Sequence, residues 1–533
     1  MHIHTIPNRN SKPTILLRES FRDGKSVKKR TLCNLSSLSC SQIEAIRMAL
    51  AGKKFFNLDQ SPQSGPIYAV LDTLNQIAQQ TGLSDALGST RLALLAKFLV
   101  YARIGHQGSR LSSVRWARNH CVEEILGLKP FDEDDLYEAL DWINENQEQI
   151  EKKLYERYLK EHGSKPPVLV LYDVTSSYLE GECNELAQYG YNRDGKKGKK
   201  QIVFGLLTDP QGEPLSIEVF EGSTSDPTTF PSQVKKLQQR FGIEQVVFVG
   251  DRGMIKGPAK MLLNHEQFKF ITSITEPQIR KYIKTGEFQL GLFEQQIAEI
   301  QLEGYRYVLR RDPFTCKKER NRREDKLKKL HEKIICRNTF VMNSEKANPE
   351  SGLKHLVEWT KHHKLCCFVE LSLKDRMIEI QIDEEKRKKE EDLDGCYVIQ
   401  TDIAAEQMSA QQVHDRYKDL QMVEKDFATM KTDLLEVRPI YLLKKGRTQA
   451  HVFVTMLALK LIRVIRQRLK EVFGTTDDIR YAATEKDALG SLSRITLVYY
   501  PVGKSKIIGL LSPDSHQQSI LAALKVKLTP PPN

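Results

Sequence analysis

Three acids in this chain stand where carboxylates do chemistry. Asp173 follows Val168-Leu169-Val170-Leu171-Tyr172, a run that reads as a strand buried on both faces. Asp251 repeats that setting after Glu244-Gln245-Val246-Val247-Phe248-Val249-Gly250. A carboxylate at the tip of a buried strand sits on rigid scaffold and points at solvent or at a metal. Asp is also a common first residue of a loop. The third acid, Glu424, lies in a helical run from Val413 to Lys431, with Tyr417 seven residues before it and Lys431 seven after. Seven residues is just under two turns, so one helix projects all three from nearly one face, packed down by Leu420 and Phe427. The same spacing also suits an ordinary amphipathic helix.

The neighbouring elements can be read in order. His162-Gly163-Ser164-Lys165-Pro166-Pro167 is a linker by its breakers. After Asp173 comes a loop rich in glycine and lysine, Tyr189 to Lys200, holding Arg193, Lys196, Lys197, Lys199 and Lys200. It lacks the G-x4-G-K-[ST] pattern of a phosphate-cradling P-loop. Gln201 to Thr208 and Leu215 to Phe220 read as antiparallel strands, Thr228 to Phe241 as a helix, and the strand to Asp251 follows. Strand, strand, strand, helix, strand, with acids ending the first and fourth strands, is a ribonuclease-H-like layout that a third acid from a later helix completes. The expected class is α/β. It has a ribonuclease-H-like core (a mixed five-stranded sheet with flanking helices) interrupted by a β-rich insertion, after an N-terminal hairpin and a helical domain.

The hairpin is signalled by Asp23-Gly24 between Thr14 to Phe21 and Ser26 to Leu32. Its Lys28, Lys29 and Arg30 serve either as a charged edge or as a grip on phosphate. The expected boundaries are 1–60 for this basic module, 61–162 for a helical DNA-binding domain and 163–275 for the first part of the core. The insertion spans 276–393, the second part of the core 394–475 and a weakly patterned tail 476–533. Within the helical domain, Arg110 to His120 is basic with one tryptophan, and Trp116 suits a core position. The charged runs Lys317 to Lys333 and Glu384 to Glu391 read as exposed helix faces.

At 533 residues several domains are expected, and a net charge of +12 is compatible with a polyanionic partner. Nine scattered cysteines with no CxxC indicate neither a disulfide framework nor a structural zinc, which fits a reducing compartment. The N-terminus lacks a signal-peptide pattern, and the apolar runs Leu92 to Ala102 and Val452 to Ile465 carry internal lysine or arginine, as buried helices do.

Several motifs in fixed order carry a resemblance: Tyr172-Asp173-Val174-Thr175, Gly190-Tyr191-Asn192-Arg193-Asp194-Gly195, Gly222-Ser223-Thr224-Ser225-Asp226, Asp251-Arg252-Gly253-Met254, the Tyr417/Glu424/Lys431 set, Arg438-Pro439 and Ala450-His451. Together they resemble the DDE transposases of the bacterial insertion sequence 4 superfamily, in its insertion sequence 1634-like branch. The signature Tyr-x2-Arg-x3-Glu-x6-Lys is kept except that Leu420 replaces the arginine. The resemblance implies that Asp173, Asp251 and Glu424 hold two Mg²⁺ ions, with Mn²⁺ able to substitute, for hydrolysis and transesterification of DNA. It implies that Tyr417 and Lys431 grip the DNA end, and that Arg252, Arg193, Lys196, Lys197, Lys199, Lys200 and Arg438 contact its backbone. Terminal inverted repeats and target DNA are the implied partners, bound by a homodimer with no membrane, in the bacterial cytoplasm at the nucleoid. A protein of the same fold that occupies repeat ends without cutting is the alternative.

Overall fold

The computed structural model describes residues 1–8, 13–24, 26–52, 61–196, 198–252, 254–265, 268–432, 434–438, 440–474, 484–502 and 505–531. Lys197, Gly253 and Pro439, named above, lie outside them. The chain divides into two compact units, one of Met1–Gln76, Arg115–Lys129 and Arg466–Asn533, the other of Ile77–Val114 and Pro130–Ile465.

The first unit opens on β1 (His2–Ile6), β2 (Thr14–Asp23) and β3 (Ser26–Asn34), an antiparallel sheet in which Asp23 faces Ser26 across the expected turn. Gly24 takes φ +61 there, a left-handed conformation that suits glycine. A short strand, β4 (Gln63–Ile67), follows.

The second unit is built on one large mixed sheet. Its strands are β5 (Leu169–Tyr178), β6 (Gln201–Thr208), β7 (Pro214–Phe220), β8 (Val247–Gly250), β9 (Lys269–Ser273), β10 (Ala298–Leu302), β11 (Tyr305–Arg311) and β14 (Cys396–Thr401). Two further strands, β12 (Val369–Lys374) and β13 (Met377–Ile382), pair only with each other. The large sheet runs β10-β11-β14-β9-β8-β5-β6-β7, with β5–β8 and β8–β9 parallel and every other pair antiparallel. Val170, Leu171 and Tyr172 at its centre are fully buried, about 1.5–3 kcal/mol of apolar burial per side chain.

Two expectations change here. The sheet has eight strands rather than five, because β11 and β14 zip onto the free edge of β9 and β10 extends them. The segment expected to be β-rich is largely helical, with a 30-residue helix, Pro313–Met342, between β11 and β12. Its charged run is made of good helix formers, and Leu327, Leu330 and Ile334 recur at three- and four-residue spacing to seat it. The strand Tyr305–Arg311 lies within that segment but belongs to the large sheet.

The helix Lys445–Phe473 is long and apolar enough to cross a membrane, yet 78% of its most apolar window is buried inside the protein, as in a core helix. Beyond it the first unit resumes with the helix Glu485–Leu492, the hairpin β15 (Thr496–Val502) and β16 (Ser505–Leu510), and the helix Ser515–Ala523. What read as a weakly patterned tail is therefore folded. β15 pairs with β4, and Leu497 joins Tyr68 and Cys121 in a small core.

Candidate active site

Asp173 lies inside β5 rather than at its end. β6 pairs with β5 from Leu171 through Tyr178, whereas β8 pairs with it only as far as Tyr172↔Gly250. The polar residues after Asp173 stay in the ladder because β6 satisfies their backbone, so the apolar run stops before the strand does. Asp251 is the first residue past β8, as its sequence setting suggested. Asp173 and Asp251 thus leave the same end of one parallel ladder, on strands about 4.8 Å apart.

Glu424 comes from a helix packed against β5. The Tyr417-to-Lys431 run is divided between Ala410–Lys418 and Leu420–Lys431, joined through Asp419, whose φ −61 and ψ −19 stay in the right-handed helical region. The carboxylate of Asp419 turns back onto Arg416 at 3.2 Å, and its carbonyl accepts from the Met422 N–H, which tightens the junction. Tyr417 reaches the site from its own helix, its hydroxyl donating to Asp251 Oδ1 at 3.2 Å. Leu420, in the place of the signature arginine, is buried.

The second helix is fixed at three points. Phe427 meets Phe204 of β6 edge-on, with ring centroids 5.7 Å apart. Asp426, 1% exposed, is ion-paired with Arg463, whose Nη1 lies 2.9 Å from each carboxylate oxygen. Lys431 Nζ donates to Thr175 Oγ1 at 2.5 Å, and Thr175 shares a face of β5 with Asp173.

The electrostatics show what these elements bring together. Burial pushes the Asp173 carboxyl up to about 7. The Val174 N–H at 2.8 Å opposes that, Asp251 and Glu424 push the same way, and Arg193 opposes. Among the described residues none of the three acids has a Lys or Arg ion-pair partner, and Glu424 and Asp251 are exposed. A set of oxygen donors without nitrogen or sulfur fits a hard divalent cation. Among the described residues, no three acids, histidines or cysteines are drawn tightly enough together to hold a metal ion as they stand.

Several cations assigned to DNA contact are engaged within the protein. Asp194 lies 3.2 Å from Lys431 Nζ and 3.1 Å from Arg438, while Arg193 pairs with Asp226. Burial lowers the Lys431 pKa, and Asp194 works against that. Lys199 pairs with Glu180 at 2.8 Å, Lys200 donates to the Glu182 carbonyl, and Lys196 lies over the Tyr178 ring. Arg252 is exposed beside Asp251 and donates its backbone N–H to that carboxylate at 2.7 Å. Sequence reasoning missed Asp194, Asp426 and Arg463. Only an unpaired-looking acid between Arg193 and the lysines hinted at the first.

The loop carrying Arg193 and Asp194 is pressed onto β6 at Gly190 and Gly222, where a Cβ on Gly190 would sit 2.2 Å from the Gly222 carbonyl oxygen. A Cβ on Gly222 would sit 1.9 Å from the Gln201 carbonyl oxygen and 2.5 Å from that of Gln188. Both are backbone atoms, so Gly222→Ala is expected to lift the loop and cost about 1–3 kcal/mol. Urea unfolding reads the loss, and an unchanged midpoint would refute the close packing.

Residues 164–461, more than half of the chain, match the model described as "Transposase DDE domain", and residues 3–62 match "IS1634 family transposase, N-terminal domain". No curated protein matches the chain. Among solved structures it is similar to a piggyBac transposase synaptic complex with hairpin DNA, at 9% identity and a TM-score of 0.35, over 80% of this chain and 76% of that one. It is also similar to a Mos1 transposase paired-end complex, at 12% identity and a TM-score of 0.15, over 44% of this chain and 68% of that one. Likeness at that level carries no argument here. The two family matches do, and the chain belongs to the DDE transposases, in the IS1634 family.

Proposed function

We propose that this transposase binds the terminal inverted repeats of its insertion sequence, cleaves the DNA at their ends and joins the ends to target DNA. The observation that carries the reading is that Asp173 and Asp251 leave the same end of one parallel ladder and that Asp251 and Glu424 both act on the Asp173 carboxyl, while among the described residues none of the three has a Lys or Arg ion-pair partner. Asp173, Asp251 and Glu424 would hold Mg²⁺, or Mn²⁺ in its place. Such ions make water or a DNA 3′-hydroxyl nucleophilic and stabilise the leaving oxygen of an in-line displacement at phosphorus. The five strands β7-β6-β5-β8-β9 supply the ribonuclease-H-like core, and β14, β11 and β10 widen it.

The protein's own groups would orient the substrate. Tyr417 holds the Asp251 carboxylate, and Arg252 offers an exposed guanidinium beside it for a phosphate. Lys431, on the face of β5 that carries Asp173, would exchange Asp194 for a DNA phosphate, as would Arg438. Arg193, Lys196, Lys199 and Lys200, with Lys197 between them, would follow the backbone. The helix Pro313–Met342 adds exposed Lys318, Arg322, Lys329 and Lys333, which fall on one side at helical spacing. Joining two ends calls for a homodimer, working at the bacterial nucleoid.

Incubation with a duplex ending in the element's own repeats, in Mg²⁺ or Mn²⁺, tests this. Wild type is expected to release a nicked or cut end bearing a 3′-hydroxyl, and Asp173→Ala none. Equal product from both would overturn the catalytic reading, and a mobility shift with the same duplex would then show whether binding survives.

A further inference from the structure

The motif Ala450-His451 and the basic stretch beginning at Arg110 have no part in the chemistry above, yet they meet. Arg103, Arg110 and His451 are 5%, 8% and 2% exposed and line one cavity of about 90 Å³ in the second unit. Arg110 Nη2 lies 3.1 Å from His451 Nδ1, and Arg103 Nη2 lies 3.5 Å from the same atom. His451 Nε2 is 2.9 Å from the Val437 carbonyl oxygen, so Nε2 carries the hydrogen and Nδ1 is the bare acceptor between two guanidiniums. Burial and the two arginines hold the His451 pKa well below its ordinary value, so the ring is neutral.

Among the described residues no carboxylate is in ion-pair contact with this group; Glu436 acts on Arg103 and Glu133 on Arg110 only from farther off. Arg306, equally buried, instead faces Glu299 at 2.8 Å. Arg103 donates to the Glu436 carbonyl at 3.0 Å and more weakly to those of Leu435 and Gln107, and its buried Nε has no partner. Carbonyls relieve a buried cation only in part, and an unpaired buried charge costs several kcal/mol. The cavity wall at Gly108 and Ser109 leads into the helix Arg110–Ala117, whose N-terminal N–H groups add positive potential. Tyr441, 64% exposed, stands at the rim, so the cavity is reachable from solvent. A cavity of that size is large enough for one tetrahedral oxyanion.

We infer that the Arg103/Arg110/His451 cavity is an anion site that takes a single phosphate group, supplied by a phosphodiester of bound DNA or as free phosphate. Arg110 and Arg103 would bind its oxygens while neutral His451 keeps both guanidiniums aimed. The DNA source rests on the function proposed above; the site itself does not.

Thermal unfolding of the full chain, in inorganic phosphate against chloride at equal ionic strength, reads the site directly. Ligand that binds only the folded state raises the midpoint with concentration. Wild type is expected to show that rise, and Arg110→Met to lose it. Should Arg110→Met fail to fold, Arg110→Lys keeps the charge, loses the fork and is expected to weaken the phosphate effect. The second arm measures affinity for a duplex of unrelated sequence against salt. A phosphodiester ligand predicts that the slope of log K on log salt shrinks by about 0.9 in the variant. A midpoint rise without a slope change identifies free phosphate, and a slope change identifies DNA. Neither effect, in a chain that folds, overturns the site. A chain that binds no DNA at all sinks the proposed function while the phosphate arm still judges the cavity.

Discussion

Without metal, Asp173→Asn is expected to be more stable than wild type at pH 8, and in Mg²⁺ its DNA end cleavage is expected to fall by roughly three orders of magnitude or more, the scale of losing a preorganised stabilising group. Both follow from one carboxyl. In the folded chain Asp173 keeps its proton up to about pH 7, against an ordinary value of 3.8. Between those values the folded state holds a proton that the unfolded state has released. The stability this contributes is therefore fully present below about pH 4 and is lost as pH rises through 7. Each pK unit corresponds to about 1.4 kcal/mol, and asparagine, which does not ionise, escapes the loss. Urea unfolding from pH 4 to pH 8 is expected to show wild type declining relative to Asp173→Asn, with added Mg²⁺ restoring wild type alone. Parallel curves would mean that burial and the neighbouring acids do not hold a proton on Asp173 in the folded chain.

Removing Arg463 is expected to cost about 3–5 kcal/mol, because it leaves the buried Asp426 carboxylate without its ion pair. The effect should reach catalysis, since Asp426 is two residues from Glu424 on the helix that carries it. Arg463 also donates to the Gln211 carbonyl at 2.8 Å, so part of the loss belongs to the loop between β6 and β7. Replacing the pair together, Asp426→Leu with Arg463→Met, removes the uncompensated charge and is expected to recover most of the stability. A double-mutant cycle in urea separates the two terms. A loss below about 1 kcal/mol for Arg463→Ala would show that the pair does not anchor the Glu424 helix.

Much of the site was legible because its elements obey local rules. The strands around Asp173 and Asp251 announce themselves as buried apolar runs, and β6 and β7 are the antiparallel pair expected at Gln201 to Thr208 and Leu215 to Phe220. The hairpin follows from Asp23-Gly24. Where the reading departed from the structure, long-range partners decided. Asp173 is interior to β5 only because β6 outlasts β8 beside it. Strands β10, β11 and β14 look like any edge strands until their pairing with β9 is known. The Asp194 hub and the His451 cluster join residues hundreds of positions apart, so no spacing rule reaches them.

The central claim is that Asp173, Asp251 and Glu424 act as one unit on DNA phosphorus. Residues that act as a unit are not additive: removing any one costs about as much as removing all. The most direct measurement is the cleavage rate on repeat-ended duplex in Mg²⁺ for Asp173→Asn, Asp251→Asn, Glu424→Gln and the triple variant, each checked for folding. All three single variants are expected to fall to the level of the triple. A single variant that folds and cuts at the wild-type rate would contradict the account.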